Sequence, residues 1–230
     1  MNIKNIQKKL IILFCLVVPF TMFSCYKKPV ALNIPLGPLY GKKILLDPGH
    51  AVHTESGIII NPGMVSTHGI AEREVVLQIA EFLGRRLEQV GCEVFYTRTN
   101  KDFWREYNDS KGDNYNRAFM ARDLEVDAFI KIHTDWFWDT DAQGARSFYF
   151  SKNSKKFAKL IHKHMLNNTH RKNRGVERDW FLGMEVLDMP TVLVETAFLS
   201  NPEEEKLLGD HKFLDKCAEG IYQGILAYYQ

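Results

Sequence analysis

The sequence predicts an α/β domain built on one mostly parallel twisted sheet with helices on both faces. Three observations carry that expectation. Short strand-like runs alternate with helical stretches from Lys42 to the end of the chain, several of those runs are apolar on both faces, and no break in composition interrupts them. Apolar residues make up 45% of the chain and charged residues 25%, a balance that supports a buried core and argues against disorder.

The amino terminus stands apart from this pattern. A basic start (Lys4, Lys8, Lys9) leads into an apolar run from Leu10 to Phe23 and then Ser24-Cys25. An apolar run of about 14 residues suits an export signal, whereas a membrane-spanning helix needs roughly 20. Residues 1–24 therefore read as a signal peptide. A small residue directly before a cysteine at the end of such a run resembles a bacterial lipobox, which makes Cys25 the expected lipidation site, with ordinary cleavage as the alternative. Residues 25–41 hold Pro29, Pro35 and Pro38 without helical or strand period, and read as a tether. Without residues 1–24, which carry three lysines and no acids, 30 − 3 = 27 basic residues face 28 acids, a net charge of −1. That balance argues against a nucleic-acid binder, whose affinity rests largely on Lys and Arg neutralising phosphates.

From Lys42 the elements follow in turn. Lys43–Asp47, Glu93–Thr97, Ala128–Ile132, Arg146–Phe150 and Thr191–Glu195 read as strands, and helices are expected near 72–90, 114–124, 153–167 and 211–228. Two cysteines, Cys92 and Cys217, remain in the body, too few for a disulfide framework. Cys217 shares a helical stripe with Phe213, Ile221 and Ile225, so it is expected as a small buried hydrophobe.

In such sheets functional groups gather beyond the carboxyl ends of the strands. His50 follows the first strand through Pro48-Gly49, His133 follows the third, and Glu195 ends the last. Glu72 opens a helix on the stripe of Val75, Val76 and Ile79 and faces the core, while Glu74 falls on the solvent side with Gln78 and Glu81. A carboxylate on an apolar stripe is costly unless something pairs with it, and a metal would do so. Two histidines and a carboxylate form the ligand set of open catalytic zinc sites, which leaves Glu195 free to act as a base. Each residue alone is an ordinary structural group; their joint placement is what points to chemistry.

Five segments then resemble a known family. ILLDPGH (44–50), GIAEREVVLQIA (69–80), FIKIHTD (129–135), RGV (174–176) and VLVETAFLSNPEEEKLL (192–208) are similar to successive motifs of the zinc-dependent N-acetylmuramoyl-L-alanine amidases, over about residues 42–230. The resemblance implies Zn2+ on His50, Glu72 and His133, and Glu195 as the catalytic acid/base. It also implies a lactyl amide on muramic acid in peptidoglycan as substrate. The expected setting is outside the cell, lipid-anchored to a bacterial membrane and facing the periplasm or wall, with the protein monomeric. A catalytically silent peptidoglycan-binding lipoprotein is the alternative; a zinc peptidase is disfavoured because no HExxH helix occurs.

The chain also departs from the family pattern. Ala51 stands where a glycine is usual, in a longer loop that carries His53 and His68 and could act as a lid. Lys131 and Asp135 flank His133, and Trp136, Phe137 and Trp138 follow. With Trp180 and Phe181 these aromatics suit either a glycan groove or loop packing. His162, His164 and His170 read as surface, and the interval from His133 to Glu195 leaves little room for a helix that would plug the site.

Overall fold

The computed structural model describes residues 36–50, 59, 61–99 and 110–230. The signal peptide, Cys25, most of the tether, His53 and most of the 51–60 loop lie outside the described residues.

Six strands form one sheet in the order β2-β1-β3-β6-β4-β5. They are β1 (Lys43–Pro48), β2 (Glu93–Tyr96), β3 (Ala128–Asp135), β4 (Ala145–Tyr149), β5 (Asn173–Arg178) and β6 (Thr191–Phe198). The pairs β1/β2, β1/β3, β3/β6 and β4/β5 are parallel, and only β4/β6 is antiparallel. The three central strands are buried along nearly their whole length, as their two-sided apolar sequences require.

Helices α1 (Glu72–Gln89), α3 (Ser154–Thr169) and α5 (His211–Tyr229) cover one face. There Ile44, Leu46, Ile130, Ile132, Val192 and Val194 meet Ile79, Leu83, Ile161, Met165, Cys217 and Ile221 in the main core. Cys217 is indeed a buried hydrophobe, and its thiol pKa is raised by burial. The crossing of α3 and α5 depends on Gly220 and Gly224, where a Cβ would come within 2.4 Å of the Cα atoms of Met165 and Ile161. The opposite face is more thinly covered, by α2 (Ser110–Asp123) and the segment around Leu187, with Leu45, Phe129, Ala118 and Ala121 between them. Asp47, Lys131, His133 and Glu195 alternate with the main-core residues of their strands and so fall on this second face.

Several elements differ from the sequence reading. Strand β5 (NRGVER) is an exposed edge, so it carries no apolar pattern to announce it. The short helix α4 (Pro202–Leu208) is set by its cap: Asn201 Oδ1 accepts from the backbone N–H groups of Glu203 and Glu204, and Pro202 opens the helix. Leu39, assigned to the tether, is buried in the main core, and its carbonyl accepts from Cys92 Sγ. His162 is not a surface residue. It is buried, with Nδ1 3.1 Å from Ser147 Oγ and Nε2 2.9 Å from Asn173 Oδ1, and burial lowers its pKa despite the Asn173 contact. His164 is partly buried and His170 is exposed, ending α3 in the left-handed conformation.

Candidate active site

The site is assembled at the carboxyl ends of β1, β3 and β6 and the start of α1. Strand β1 runs into the turn Pro48-Gly49-His50, and Gly49 N donates to Ile132 O at 3.0 Å, bringing the turn against β3. A Cβ on Gly49 would lie 2.2 Å from the His133 ring, so only glycine lets the two histidines approach. His50 itself adopts φ 65°, a left-handed conformation that a non-glycine residue holds only when its surroundings impose it.

Two buried arginines impose it. Arg98 donates to Pro48 O (2.9 Å) and Gly49 O (2.7 Å), and Arg117 donates to Pro48 O (3.0 Å) and His50 O (2.9 Å). Arg117 is in turn paired with Asp47 (2.6 Å) and Asp113 (2.8 Å), and Asp47 also receives Lys131 Nζ (2.6 Å) and Thr97 Oγ1 (2.6 Å). Burial alone would raise the Asp47 pKa, but Lys131 and Arg117 hold it far below the usual carboxylate range. Lys131 therefore compensates a buried aspartate under the turn. Residue reasoning missed this network, although Arg117 sits on the same helical stripe as buried Ala121, the signal that singled out Glu72.

Glu72 lies where its stripe places it, buried at the first turn of α1, while Glu74 is exposed. Its Oε1 is 3.0 Å from His50 Nε2 and 3.3 Å from His133 Nδ1, and accepts from Thr134 N at 3.1 Å. Met64 N donates to Oε2 at 3.2 Å. Burial opposes the charge on Glu72, yet the two imidazoles depress its pKa strongly. For His50 the contact with Glu72 outweighs burial and raises the pKa; for His133 burial wins and lowers it. One ligand atom from each of His50, Glu72 and His133 lies within 4.8 Å of the others.

This donor set fits a metal ion. Three lone-pair-bearing atoms converge on one small volume, an arrangement that is unfavourable without a cation or protons between them. Asn61 Oδ1, 2.8 Å from His50 Nδ1, accepts a hydrogen bond from that N–H and leaves Nε2 with the lone pair facing Glu72. Imidazole and carboxylate are the ligands zinc takes in open sites. His68, in the loop that follows His50, is instead exposed, with Nδ1 2.8 Å from Glu205 Oε2.

Glu195 stands opposite His133 in the β3/β6 register. Both line a cavity of about 380 Å³, together with His50, Asn61, Lys131, Trp180 and Phe181. Of the aromatics singled out earlier, Trp180 and Phe181 thus wall this cavity, Phe181 resting on Phe148 at 4.9 Å between ring centroids. Glu195 Oε2 is buried without a hydrogen-bond partner. Burial, with the nearby charges of Asp135 and Glu72, raises its pKa well above the ordinary value, against the opposing effect of Arg146. Between His133 and Glu195 the chain forms β4, α3, β5 and a single helical turn (Met184–Val186), with no inserted plug.

The fold and site together define an α/β domain whose largely parallel sheet gathers two imidazoles, a shared carboxylate and a second carboxylate with a partnerless oxygen at its strand ends. The profile of the N-acetylmuramoyl-L-alanine amidase family matches residues 44–227, and the chain belongs to that family. It is 33% identical over 204 residues to the germination-specific N-acetylmuramoyl-L-alanine amidase of Bacillus subtilis (strain 168), covering 84% of this chain and 81% of that protein. With N-acetylmuramoyl-L-alanine amidase LytC of the same organism it shares 31% identity over 197 residues, 84% of this chain but 36% of LytC. The chain thus spans about a third of that larger relative. The catalytic domain of CwlV, an N-acetylmuramoyl-L-alanine amidase from Bacillus (Paenibacillus) polymyxa var. colistinus, superimposes with a TM-score of 0.71 at 28% identity, over 81% of this chain and 97% of that one.

Proposed function

We propose that this protein hydrolyses the amide between the lactyl group of N-acetylmuramic acid and L-alanine in peptidoglycan, with zinc held by His50, Glu72 and His133. The observation that carries this reading is the convergence of those three donors beside a cavity lined by His50, His133 and Glu195, whose buried Oε2 has no hydrogen-bond partner. Zinc there would act as a Lewis acid, polarising the amide carbonyl and lowering the pKa of water.

The remaining chemistry belongs to the chain. Glu195 Oε2, unengaged by the protein, takes a proton from the attacking water as the C–O bond forms. It delivers that proton to the amide nitrogen as the C–N bond breaks, leaving a lactyl carboxylate and a free peptide amine. The raised pKa of Glu195 suits a group that must hold a proton between the two steps. Arg117 positions His50 by its carbonyl, Arg98 holds the carbonyls of Pro48 and Gly49 just before it, and Asn61 sets its tautomer.

The test combines metal analysis with mass analysis of digested sacculi. Glu195→Gln should lose about 100- to 10,000-fold in turnover while keeping stoichiometric zinc, and His50→Ala or His133→Ala should lose the metal. Wild-type protein should release free stem peptides. Shortened peptides or no product would reject the amidase reading, and zinc loss on Glu195→Gln alone would reject the division of roles.

We also propose export and lipid anchoring at Cys25, on the basis of the leader and its Ser24-Cys25 junction. Cys25→Ser should free the protein from the membrane fraction or block its maturation, whereas wild-type protein found soluble and starting after residue 25 would reject the anchor.

A further inference from the structure

Three residues beyond His133 the chain leaves β3 and presents three aromatic side chains in succession. Trp138 is 84% exposed and Phe137 54%, while Trp136 is half-buried with its ring 4.7 Å from that of Trp138, at 80°. The loop that carries them is pinned. Trp136 N donates to Asp135 Oδ1 (2.9 Å), Phe137 N to Ser200 Oγ (3.0 Å), Asn201 Nδ2 to Thr140 O (2.8 Å) and Ala142 N to Asp139 O (3.1 Å). The anchoring aspartate also pairs with Arg146 at 2.6 Å, and Arg146 is the strand partner of Glu195. The aromatic loop therefore joins β3 and β4, the two strands that flank the strand of Glu195 in the sheet. An ordered loop that holds two large apolar rings in water has already met the ordering cost of binding.

The chemistry of the loop selects an occupant. Asp139 and Asp141 are exposed beside the rings, and no basic residue lies between Asp135 and Arg146. Those charges repel an anionic lipid surface. They suit instead a neutral ligand that combines an apolar C–H face with hydroxyl donors, which describes a pyranose ring: the indole takes the C–H face and the carboxylates accept from hydroxyls. The proposed substrate is a polymer whose scissile amide hangs from one sugar, so the neighbouring sugars must lie on the surface just outside the cavity.

We infer that Trp138 and Phe137 form a stacking ledge for a sugar of the glycan strand next to the muramoyl residue in the site. The inference rests on the amidase reading and makes the ledge a positioning element for polymeric substrate.

Wild-type protein, Trp138→Ala and Trp138→Phe are compared on soluble uncrosslinked glycan chains bearing stem peptides and on a single-sugar N-acetylmuramoyl peptide. In Trp138→Ala the ratio of kcat/KM for the polymer over the single sugar should fall roughly tenfold, mainly through KM, with Trp138→Phe recovering most of it. Proportional loss on both substrates, or no change in the ratio, overturns the ledge. A second readout needs no turnover: a short N-acetylglucosamine oligomer should give a saturable change in tryptophan fluorescence with wild type and not with Trp138→Ala. If wild type releases no stem peptide yet responds to the oligomer, the amidase reading fails and the ledge stands; no response overturns the ledge. Trp138-dependent binding to phosphatidylglycerol vesicles without an oligomer response would assign the ledge to lipid and overturn it too.

Discussion

The two sides of the site are built on opposite plans. Beneath His50 the polar groups are densely engaged: Asp47 has three donors, Arg117 reaches two carboxylates and two backbone carbonyls, and Asn61 holds the imidazole. Around Glu195 the opposite holds, for Oε2 has no partner and two like charges stand nearby. The difference separates two jobs. On the proposed roles, metal ligands must not move, so their support is over-determined, whereas a proton carrier must be free to change its partner.

The comparison breaks first at Arg117. Arg117→Met leaves Asp113 buried without its cation and removes a donor from the His50 carbonyl, so stability should fall by about 3–5 kcal/mol in urea unfolding. A loss within measurement error would show that the network is dispensable.

A smaller effect is expected at the second shell. Asn61→Ala releases the His50 tautomer and should weaken zinc binding roughly 10- to 100-fold in chelator competition, with little change in unfolding. Unaltered affinity would remove Asn61 from the support of the site.

The smallest effect sharpens the Glu195 side. Asp135→Asn removes a negative charge that raises the Glu195 pKa and leaves Arg146, which lowers it. The group that must be deprotonated then ionises at lower pH, so the acid limb of kcat/KM should move to lower pH. A limb that stays in place, or moves up, contradicts the electrostatic account of Glu195.

Much of this was legible in the residues. The alternation of apolar runs specified a parallel α/β sheet because two-sided burial leaves the same mark in any such strand. Helical period separated Glu72 from Glu74 because a carboxylate on an apolar stripe must face inward. Strand ends nominated His50, His133 and Glu195, and Pro48-Gly49 marked the turn before His50.

Other features had no local signature. Edge strand β5 gains its place from pairing with β4 and not from its own side chains. His162, amid lysines in sequence, is buried where Ser147 of β4 and Asn173 of β5 meet it, a contact set by how α3 packs on those strands. The arginine support of His50 joins residues 48–50 to Arg98 and Arg117 across tens of positions. Local sequence determined which faces are apolar and where each strand ends, since those depend on neighbours along the chain. Which buried charges compensate one another, and which carboxylate is left without a partner, was decided only by folding, because the energy of a buried charge depends on distances that exist only in the assembled sheet.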